Sequence, residues 1–404
     1  MILIDDIVAE APAMAALRRD LHAHPELAFD EQRTADIVAA QLTQFGIPIH
    51  RGLGGMGVVG VLTRGDSPRA VGLRADMDAL PVAEQNTFAH TSRHPGRMHA
   101  CGHDGHTAML LSAAQHLARA GDFDGTVYFV FQPAEENGLG ALRMIEDGLF
   151  ERFPMEAIFA AHNWPGIPVG SFAVSPGPMM ASCNEFTITI QGKGCHAAMP
   201  DQGVDPILVA FQLGQALQSI ITRNVPPAEN AVLSITQVQG GDALNVLPDQ
   251  CVLRGTVRCF SVAVRDLIER RMREISEQIC ATFGARSEFF FKCNCPPTTN
   301  HLKETAFVQR VLSGLVGPDR MLPFQPTMSA EDFSFMLQVK AGCYFIIGNG
   351  DGDHRHSGHG LGPCSLHNPS YDFNDKLIPL GATAWVHIAR DWLRQTNGGI
   401  HQLG

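Results

Sequence analysis

The sequence predicts an α/β protein with a largely parallel main sheet and a smaller α+β module inserted into the main domain. In the first 160 residues, and again after residue 296, short apolar strands alternate with helices of apolar 3.6-residue periodicity. This pattern is typical of a sheet covered by helices. Between these two parts, strand-like segments alternate apolar and polar residues, as expected for a sheet with one open face. A chain of 404 residues is also long enough for two domains.

The first part of the chain contains most of the main sheet. Leu17, Leu21, Ile37 and Leu42 have helical spacing on either side of a break at His24–Pro25. The predicted elements are a broken helix over 13–45, strands over 57–62, 70–75, 126–131 and 157–161, and helices over 104–120 and around 142–145. After residue 296 the chain returns to helices and one apolar strand, over 344–347. This alternation favours βαβ units and parallel strands.

The middle of the chain predicts the inserted module. The predicted elements are strands over 186–192, 231–236, 251–258 and near 289, and helices over 206–222 and 264–283. Their order, β-α-β-β-α-β, is that of a ferredoxin-like fold. We therefore expect a discontinuous main domain over 1–183 and 294–404 and an inserted domain over 184–293.

Charge and composition narrow the class of partner. The formal net charge is −11 without a basic run, which argues against nucleic acid. The sequence has no Walker loop and no strand–GxGxxG–helix unit. We expect neither a membrane span nor a signal peptide, because no apolar stretch is long enough and Met1–Asp6 has no basic region. Ten cysteines are scattered through a long chain that we expect to be cytoplasmic, so we expect most of them to be reduced and buried. Cys293 and Cys295 are too closely spaced for a zinc knuckle or a redox CxxC motif.

The most informative stretch is His99–His106, which contains the cysteine motif Cys101-Gly102-His103, because the paired glutamates Glu135 and Glu136 follow it about one helix and one strand later. Thiolate and imidazole groups bind borderline metals such as zinc. One carboxylate of the pair can complete such a site while its neighbour transfers protons. This combination predicts a hydrolytic metal site.

Carboxylates or imidazoles follow four predicted strands at their C-terminal ends. They are Asp76 and Asp78 after 70–75, the glutamate pair after 126–131, His162 after 157–161 and His367 beyond 344–347. Open α/β sheets bind ligands at this edge. Each residue alone is typical of a cap, a solvated helix start or a buried core side chain. Their recurrence at strand ends favours one functional site.

Other histidines lie close to these residues in sequence or in glycine-rich segments. His99 and His106 flank the cysteine motif and are expected either to bind metal or to orient a ligand. His354, His356 and His359 lie in a glycine-rich segment that we expect to be mobile and exposed.

Longer motifs surround these residues. The motif segments are 73–81, 98–106, 131–136, 161–165, 194–200, 245–248 and 367–374. In order and residue type they resemble hippurate hydrolases and indoleacetyl-amino acid hydrolases. These enzymes belong to the aminoacylase and carboxypeptidase G type of metallopeptidase-like amidohydrolases. The resemblance covers nearly the whole chain and is far more specific for the family than for the substrate.

The resemblance implies a centre with two divalent metal ions, for which zinc, manganese, cobalt and nickel are all candidates. The implied ligands are Cys101, His103, Glu136, His162 and His367. Cys101 would bridge the ions, a position that many relatives fill with aspartate. Glu135 would act as general base and then general acid, and Asp78 would orient a ligating imidazole, that of His103. Many relatives have a metal-binding histidine where this chain has Asp76, which we do not assign as a ligand.

The resemblance also assigns roles to the inserted domain. It would be a lid and a dimerisation domain, giving a homodimer or a higher homo-oligomer. His196 would stabilise the oxyanion, either within its own subunit or across the dimer. Asn245 and Arg258 are candidates for binding the substrate carboxylate.

The resulting prediction is a cytoplasmic metal-dependent amidohydrolase that cleaves N-acyl amino acids to a carboxylic acid and a free amino acid. Benzoyl-glycine is the first substrate to test, while acetyl, indoleacetyl and diaminopimelate-type substrates stay open. A dipeptidase or carboxypeptidase with the same centre is an alternative. A non-catalytic, metal-dependent binding protein is another, although the sequence retains the presumed base and all five presumed ligands.

Overall fold

A computed structural model describes residues 1–395 and divides the chain into two compact units. The first unit comprises Met1–Met179, Thr299–Gln325 and the segment that begins at Asp332, and the second comprises Met180–Thr298 and Pro326–Glu331. The boundaries expected from the sequence, at 184 and 293, lie a few residues inside the second unit. The short return of the chain over 326–331 was not expected.

The secondary structure alternates as predicted in the main domain. The helices are α1 (Asp5–Ala23), α2 (Gln32–Gln44), α3 (His103–Ala120), α4 (Gly140–Glu146), α5 (Leu149–Arg152), α6 (Pro206–Arg223), α7 (Val262–Thr282), α8 (Leu302–Val316), α9 (Phe333–Val339) and α10 (Leu377–Arg394). The strands are β1 (Ile49–Leu53), β2 (Gly57–Arg64), β3 (Ala70–Asp76), β4 (Gly125–Gln132), β5 (Ala157–Pro165), β6 (Phe172–Ala173), β7 (Gly177–Met180), β8 (Cys183–Gln191), β9 (Cys195–His196), β10 (Ala231–Gln239), β11 (Val246–Leu247), β12 (Gln250–Cys259), β13 (Arg286–Cys295), β14 (Thr298–Asn300), β15 (Met321–Leu322) and β16 (Gly342–Gly350).

Helix α1 begins earlier than the predicted start at residue 13. Asp5 and Asp6 occupy its first turn, where negative charge interacts favourably with the positive end of the helix dipole. The helix ends at Ala23, just before the predicted break at His24–Pro25. The apolar spacing used for the prediction did not detect this polar first turn.

The main sheet has eight strands in the order β1-β2-β4-β3-β5-β16-β6-β15. Its centre is parallel, because β3 pairs in parallel with β4 and β5, and β16 pairs in parallel with β5. The predicted parallel sheet is thus confirmed for the centre, while β1, β2 and β6 add antiparallel pairs towards its edges. The C-terminal ends of β3, β4, β5 and β16 lie along one edge of this parallel core. The polar residues predicted for that edge lie there.

Helix α3 is buried along most of its length, in contact with α1 and α10. Two glycines permit this packing. A Cβ at Gly105 would overlap the ring of Phe373, and one at Gly381 of α10 would overlap Met109 of α3. The N-terminus of α3, with the cysteine motif, is therefore held tightly in the core.

The second unit is the predicted ferredoxin-like module. Its four-stranded antiparallel sheet has the order β10-β12-β8-β13, and α6 and α7 pack together and contact this sheet. Strands β8 and β12 bury alternate residues, and these residues form an apolar core with α6 and α7.

Among the described residues, no helix combines the length and the apolar character needed to cross a membrane.

Candidate metal centre

The cysteine motif is positioned by a glycine at the start of α3. Gly102 has a φ of 95° and is the N-cap of the helix, a conformation that side chains with a Cβ rarely adopt. A Cβ at this position would overlap Asn163 Oδ1 and lie 2.6 Å from Tyr371 Oη. Gly102 therefore allows Cys101 and His103 to approach strand β5 and the segment around Tyr371.

Cys101 and His162 lie side by side. Cys101 Sγ is 3.3 Å from His162 Nε2, and His162 Nδ1 donates to the carbonyl oxygen of Asn163 at 2.7 Å. That bond places the imidazole hydrogen on Nδ1 and leaves the Nε2 lone pair facing the thiol. Burial lowers the pKa of His162, with a further contribution from the charge of His106, which keeps its imidazole neutral. His162 lies inside β5, because this strand continues to Pro165, four residues beyond the predicted end.

The Cys101 thiol is poorly suited to ionise by itself. Burial raises its pKa well above the ordinary value, and the charges of Glu136 and Glu135 raise it further. A divalent cation would reverse this balance, because a coordinating thiol is deprotonated by the ion. The chemistry of the pocket therefore fits a cation bound against this sulfur.

Asp78 connects two of the predicted ligands. His103 Nδ1 donates to Asp78 Oδ1 at 3.1 Å, and the backbone N–H of Glu136 donates to Asp78 Oδ2 at 2.9 Å. His103 Nε2 is buried, has no hydrogen-bond partner among the described residues and lies 3.9 Å from Glu136 Oε1. A buried nitrogen without a hydrogen-bond partner is unfavourable in a protein, and a metal ion bound between His103 Nε2 and Glu136 Oε1 would give that nitrogen a partner.

His103 lies in a strongly acidic environment. Burial lowers its pKa, but the charge of Asp76 and the hydrogen bond and charge of Asp78 outweigh burial and raise the pKa to about 10. This surplus of negative charge around a buried imidazole would favour any cation that binds here.

His367 reaches the same place from a distant part of the chain. Its Nε2 lies 3.4 Å from Glu136 Oε1, and its backbone N–H donates to the carbonyl oxygen of Ala100 at 2.7 Å. The residue adopts a φ of 64°, which is uncommon outside glycine. Its side chain is 55% exposed, so it forms the open side of the site.

The ligand atoms form two groups that share the cysteine. Cys101, His103 and His162 make one group and Cys101, Glu136 and His367 make the other, with the ligand atoms of each group within 4.8 Å of one another. The five predicted ligands therefore lie together, and the arrangement has the composition of a dinuclear site with a shared thiolate.

His106 and Asp76 lie beside the site, with Asp76 Oδ2 3.8 Å from His103 Nε2. His106 Nδ1 lies 2.6 Å from Asp76 Oδ1, and His106 Nε2 lies 2.7 Å from Asn163 Oδ1. Arg74 donates to the other oxygen of Asp76 at 2.8 Å. Both imidazole nitrogens of His106 are therefore occupied. Of the two roles that the sequence left open, binding metal or orienting a ligand, this arrangement favours the second.

The structure adds residues that the sequence analysis missed. Asp332 is buried and accepts hydrogen bonds from Arg74 at 3.3 Å, Gln132 at 2.8 Å and the backbone of Ala141 at 2.9 Å, and its own N–H donates to Glu135 Oε1 at 3.4 Å. Asp332 follows Glu331 directly and lies nearly 200 residues from Glu135, and a pair of acids alone does not indicate which distant residues it contacts.

The prediction for the glycine-rich histidine segment was wrong for two of its three histidines. His359 Nε2 lies 3.0 Å from Asp372 Oδ2, and His354 Nε2 donates to the Asp372 carbonyl oxygen at 3.2 Å. Both are half-buried, whereas His356 is exposed. Asp372 organises this segment, because a buried carboxylate requires hydrogen-bond donors.

The remaining predicted residues belong to the second unit. His196 lies on β9 opposite Val246 of β11, and the N–H of Ala197 donates to the carbonyl oxygen of Asn245 at 3.0 Å. The segments of His196 and Asn245 are thus neighbours within that unit. Arg258 lies on β12, on the face opposite to the buried alternate residues.

A parallel α/β core with a cysteine–histidine–glutamate cluster at its carboxyl edge defines a metal-dependent hydrolase of the metallopeptidase-like class. The chain belongs to Peptidase family M20/M25/M40, whose pattern matches residues 72–391. The resemblance noted in the sequence is confirmed by this match.

Relatives with named activities share most of their length with this chain. It is 38% identical to the hippurate hydrolase of Campylobacter jejuni over 98% of this chain and all of the relative. It is 43% identical to an N-acetylcysteine deacetylase of Bacillus subtilis over 92% of this chain and 95% of the relative. Among solved structures, a dinuclear metal-binding peptidase from the M20 family of Bacillus subtilis has a TM-score of 0.82 and 31% identity, covering 96% of this chain and 99% of that one.

Proposed function

We propose that this protein hydrolyses the amide bond of N-acyl amino acids and releases a carboxylic acid and a free amino acid. The observation that carries this proposal is the pair of ligand groups that share Cys101, beside Glu135. A site with a general base next to a dinuclear metal centre is suited to amide hydrolysis.

We assign Cys101 as the ligand shared by two divalent ions and His103, Glu136, His162 and His367 as the other ligands. Two such ions, when bound, lower the pKa of a coordinated water and polarise the carbonyl of the scissile amide. One thiolate, three imidazoles and one carboxylate suit zinc, and the same set accommodates manganese, cobalt or nickel.

Glu135 is the group we assign to proton transfer. It is 9% exposed and accepts a hydrogen bond from the backbone of Asp332 at 3.4 Å, which restrains its carboxylate. Glu135 would take the proton of the attacking water and pass it to the nitrogen of the departing amino acid. Asp78 would hold the imidazole of His103 and the backbone of Glu136 in place during this reaction.

The names of two relatives favour substrates whose amino group carries an acyl group. The names hippurate hydrolase and N-acetylcysteine deacetylase both describe an acyl group on the nitrogen of an amino acid. We therefore propose N-acyl amino acids as the substrate class and benzoyl-glycine as the first member to test.

The test is amino-acid release from a panel of N-acyl amino acids and unblocked dipeptides. Chelated protein is compared with protein reloaded with zinc, manganese, cobalt or nickel. Activity that returns with metal and is confined to blocked substrates supports the proposal. Activity on free dipeptides moves the assignment to a peptidase, and no release with any metal contradicts a hydrolytic role.

We also propose two roles for the second unit as a whole, a homodimer interface and a lid. Within this unit, we propose that His196 stabilises the oxyanion. Asn245 and Arg258 are proposed to bind the substrate carboxylate. Exposed apolar side chains on α6, among them Leu208 and Phe211, support an interface. Light scattering after size exclusion tests the dimer, since a monomer at micromolar concentration contradicts it. A cytoplasmic location stays a prediction from the sequence.

A further inference from the structure

Two of the cysteines in the second unit, Cys183 and Cys295, face each other on neighbouring strands. Cys183 begins β8 and Cys295 ends β13, and they are register partners in this antiparallel pair. Register partners direct their side chains to the same face of a sheet, with Cα atoms ~4.5–5.5 Å apart. A disulfide requires a Cα separation of ~4.4–6.8 Å. The strand pairing and a hydrogen bond between the two side chains therefore place the sulfurs of Cys183 and Cys295 next to each other.

A β-bulge creates this pairing. The register of β13 shifts between Cys293 and Cys295. In a regular ladder Asn294 would lie opposite Cys183, and Cys295 would point to the other face of the sheet. The spacing of Cys293 and Cys295 excludes a local CxxC motif, but the bulge gives Cys295 a partner more than a hundred residues away.

The surroundings of Cys183 favour its thiolate. A hydrogen bond from the Cys295 thiol, the charge of Arg258 and a hydrogen bond from Asn294 together outweigh burial and lower the pKa of Cys183 to about 6. The half-buried Cys293 differs, because burial raises its pKa in spite of the neighbouring Arg265. Thiolate character near neutral pH thus distinguishes Cys183 from a cysteine two residues from its partner.

Burial assigns different roles to the two thiols. Cys183 is partly exposed, whereas Cys295 is 3% exposed. An external reagent can therefore reach Cys183 first, and Cys295 is in position to attack the Cys183 sulfur of the mixed disulfide that forms.

We propose that Cys183 and Cys295 form a reversible redox site for low-molecular-weight disulfides such as oxidised glutathione. The Cys183 thiolate attacks one sulfur of the disulfide RSSR, which forms a Cys183–S–S–R bond and releases RS⁻. Cys295 then loses its proton and attacks the Cys183 sulfur, which forms the protein disulfide and releases the second RS⁻. Two protein thiols are oxidised by two electrons, and RSSR is reduced to two thiols that take up the protons.

The first experiment uses the full chain loaded with divalent metal, equilibrated with mixtures of reduced and oxidised glutathione and then alkylated and mapped by peptide mass spectrometry. The expected product is a peptide pair linked through residues 183 and 295. C293S is the matched control and keeps this product, because Cys293 takes no part in the reaction.

Two variants separate the steps. C295S is expected to form the mixed disulfide between Cys183 and glutathione but no linked peptide pair. C183S is expected to form neither product. Far-UV circular dichroism is used to show that each variant is folded. Glutathione distributed equally over Cys183 and Cys293, or no linked peptide in fully oxidised glutathione, would overturn the proposal.

A measurement on the unmodified chain does not depend on any variant. At pH 7, iodoacetamide is expected to alkylate Cys183 at least ~10-fold faster than Cys293, because the thiolate is the reactive form. Equal rates for the two cysteines would contradict the assignment of Cys183 as the nucleophile.

Discussion

The carboxylate of Asp78 lies 3.1 Å from Nδ1 of His103, and this bond directs the opposite ring nitrogen to the candidate metal centre. The second oxygen of the same carboxylate accepts the backbone N–H of Glu136. One side chain therefore orients two predicted ligands that come from different strand ends. Carboxylates that orient a ligating imidazole in this way fix its tautomer and increase its basicity.

Replacing Asp78 by alanine is expected to weaken metal binding. The imidazole of His103 would lose its fixed tautomer and the backbone of Glu136 its acceptor, so affinity should fall roughly 10–100-fold. Competition titration with a chromogenic chelator measures this affinity directly. D319A removes an exposed carboxylate and should leave metal affinity unchanged; an equal loss in both variants would contradict the role of Asp78.

Replacing Glu135 by glutamine is expected to remove proton transfer while preserving the shape of the site. Loss of a general base lowers kcat by roughly 10²–10⁴-fold, and metal content measured by atomic emission should stay at the wild-type level. E146Q, at a side chain that is about half exposed, is the matched control. Full activity of E135Q would refute the assignment of Glu135.

The sequence predicted most elements of the fold because their signals are local. Alternating residues in β8 and β12 and helical apolar spacing in α3 and α6 arise within single elements. The predicted ferredoxin-like order was confirmed, since short connections leave few topologies. The antiparallel edge pairs of the main sheet were missed, because strand direction at an edge depends on partners that periodicity does not reveal.

Site residues that directly follow a predicted strand could be predicted from the sequence. Residues that act through hydrogen bonds between distant segments could not. Cys101, His103 and Glu136 belong to compact motifs, so their proximity could be expected. Asn163 and Asp332 act through hydrogen bonds to His106 and Arg74, and the sequence does not reveal these contacts between distant segments, although Asn163 follows the predicted ligand His162. The left-handed backbone of His367 likewise depends on tertiary contacts.

The space around two helical glycines, Gly381 in α10 and Gly314 in α8, predicts opposite effects when each is replaced by alanine. A Cβ at Gly381 would lie 3.0 Å from Cγ of the buried Met109 and overlap its sulfur, so G381A should lower the free energy of unfolding by roughly 1–3 kcal/mol. Gly314 in α8 has open space around its Cβ position, so G314A should raise stability by roughly 0.5–1 kcal/mol. Urea denaturation of both variants checks this, and a destabilised G314A would show that helix propensity is not the governing effect there.

His22 predicts how stability depends on pH. Its imidazole is buried between Asp104, 2.9 Å from Nδ1, and Glu84, 3.2 Å from Nε2. Burial lowers the pKa of His22, but the hydrogen bonds to the two carboxylates outweigh burial and raise the pKa from 6.5 to about 9. The folded state thus binds this proton more tightly than the unfolded state does.

The stabilisation from His22 is therefore complete below pH 6.5 and is lost as the pH rises through about 9. A shift of this size corresponds to ~3 kcal/mol of unfolding free energy. Urea denaturation at a series of pH values should show this decline in the wild-type chain and in H24Q, whose histidine lies near the surface. H22Q should lose most of the decline between pH 6.5 and 9, because the group that releases the proton is gone; an unchanged slope in H22Q would show that another group controls stability in this range.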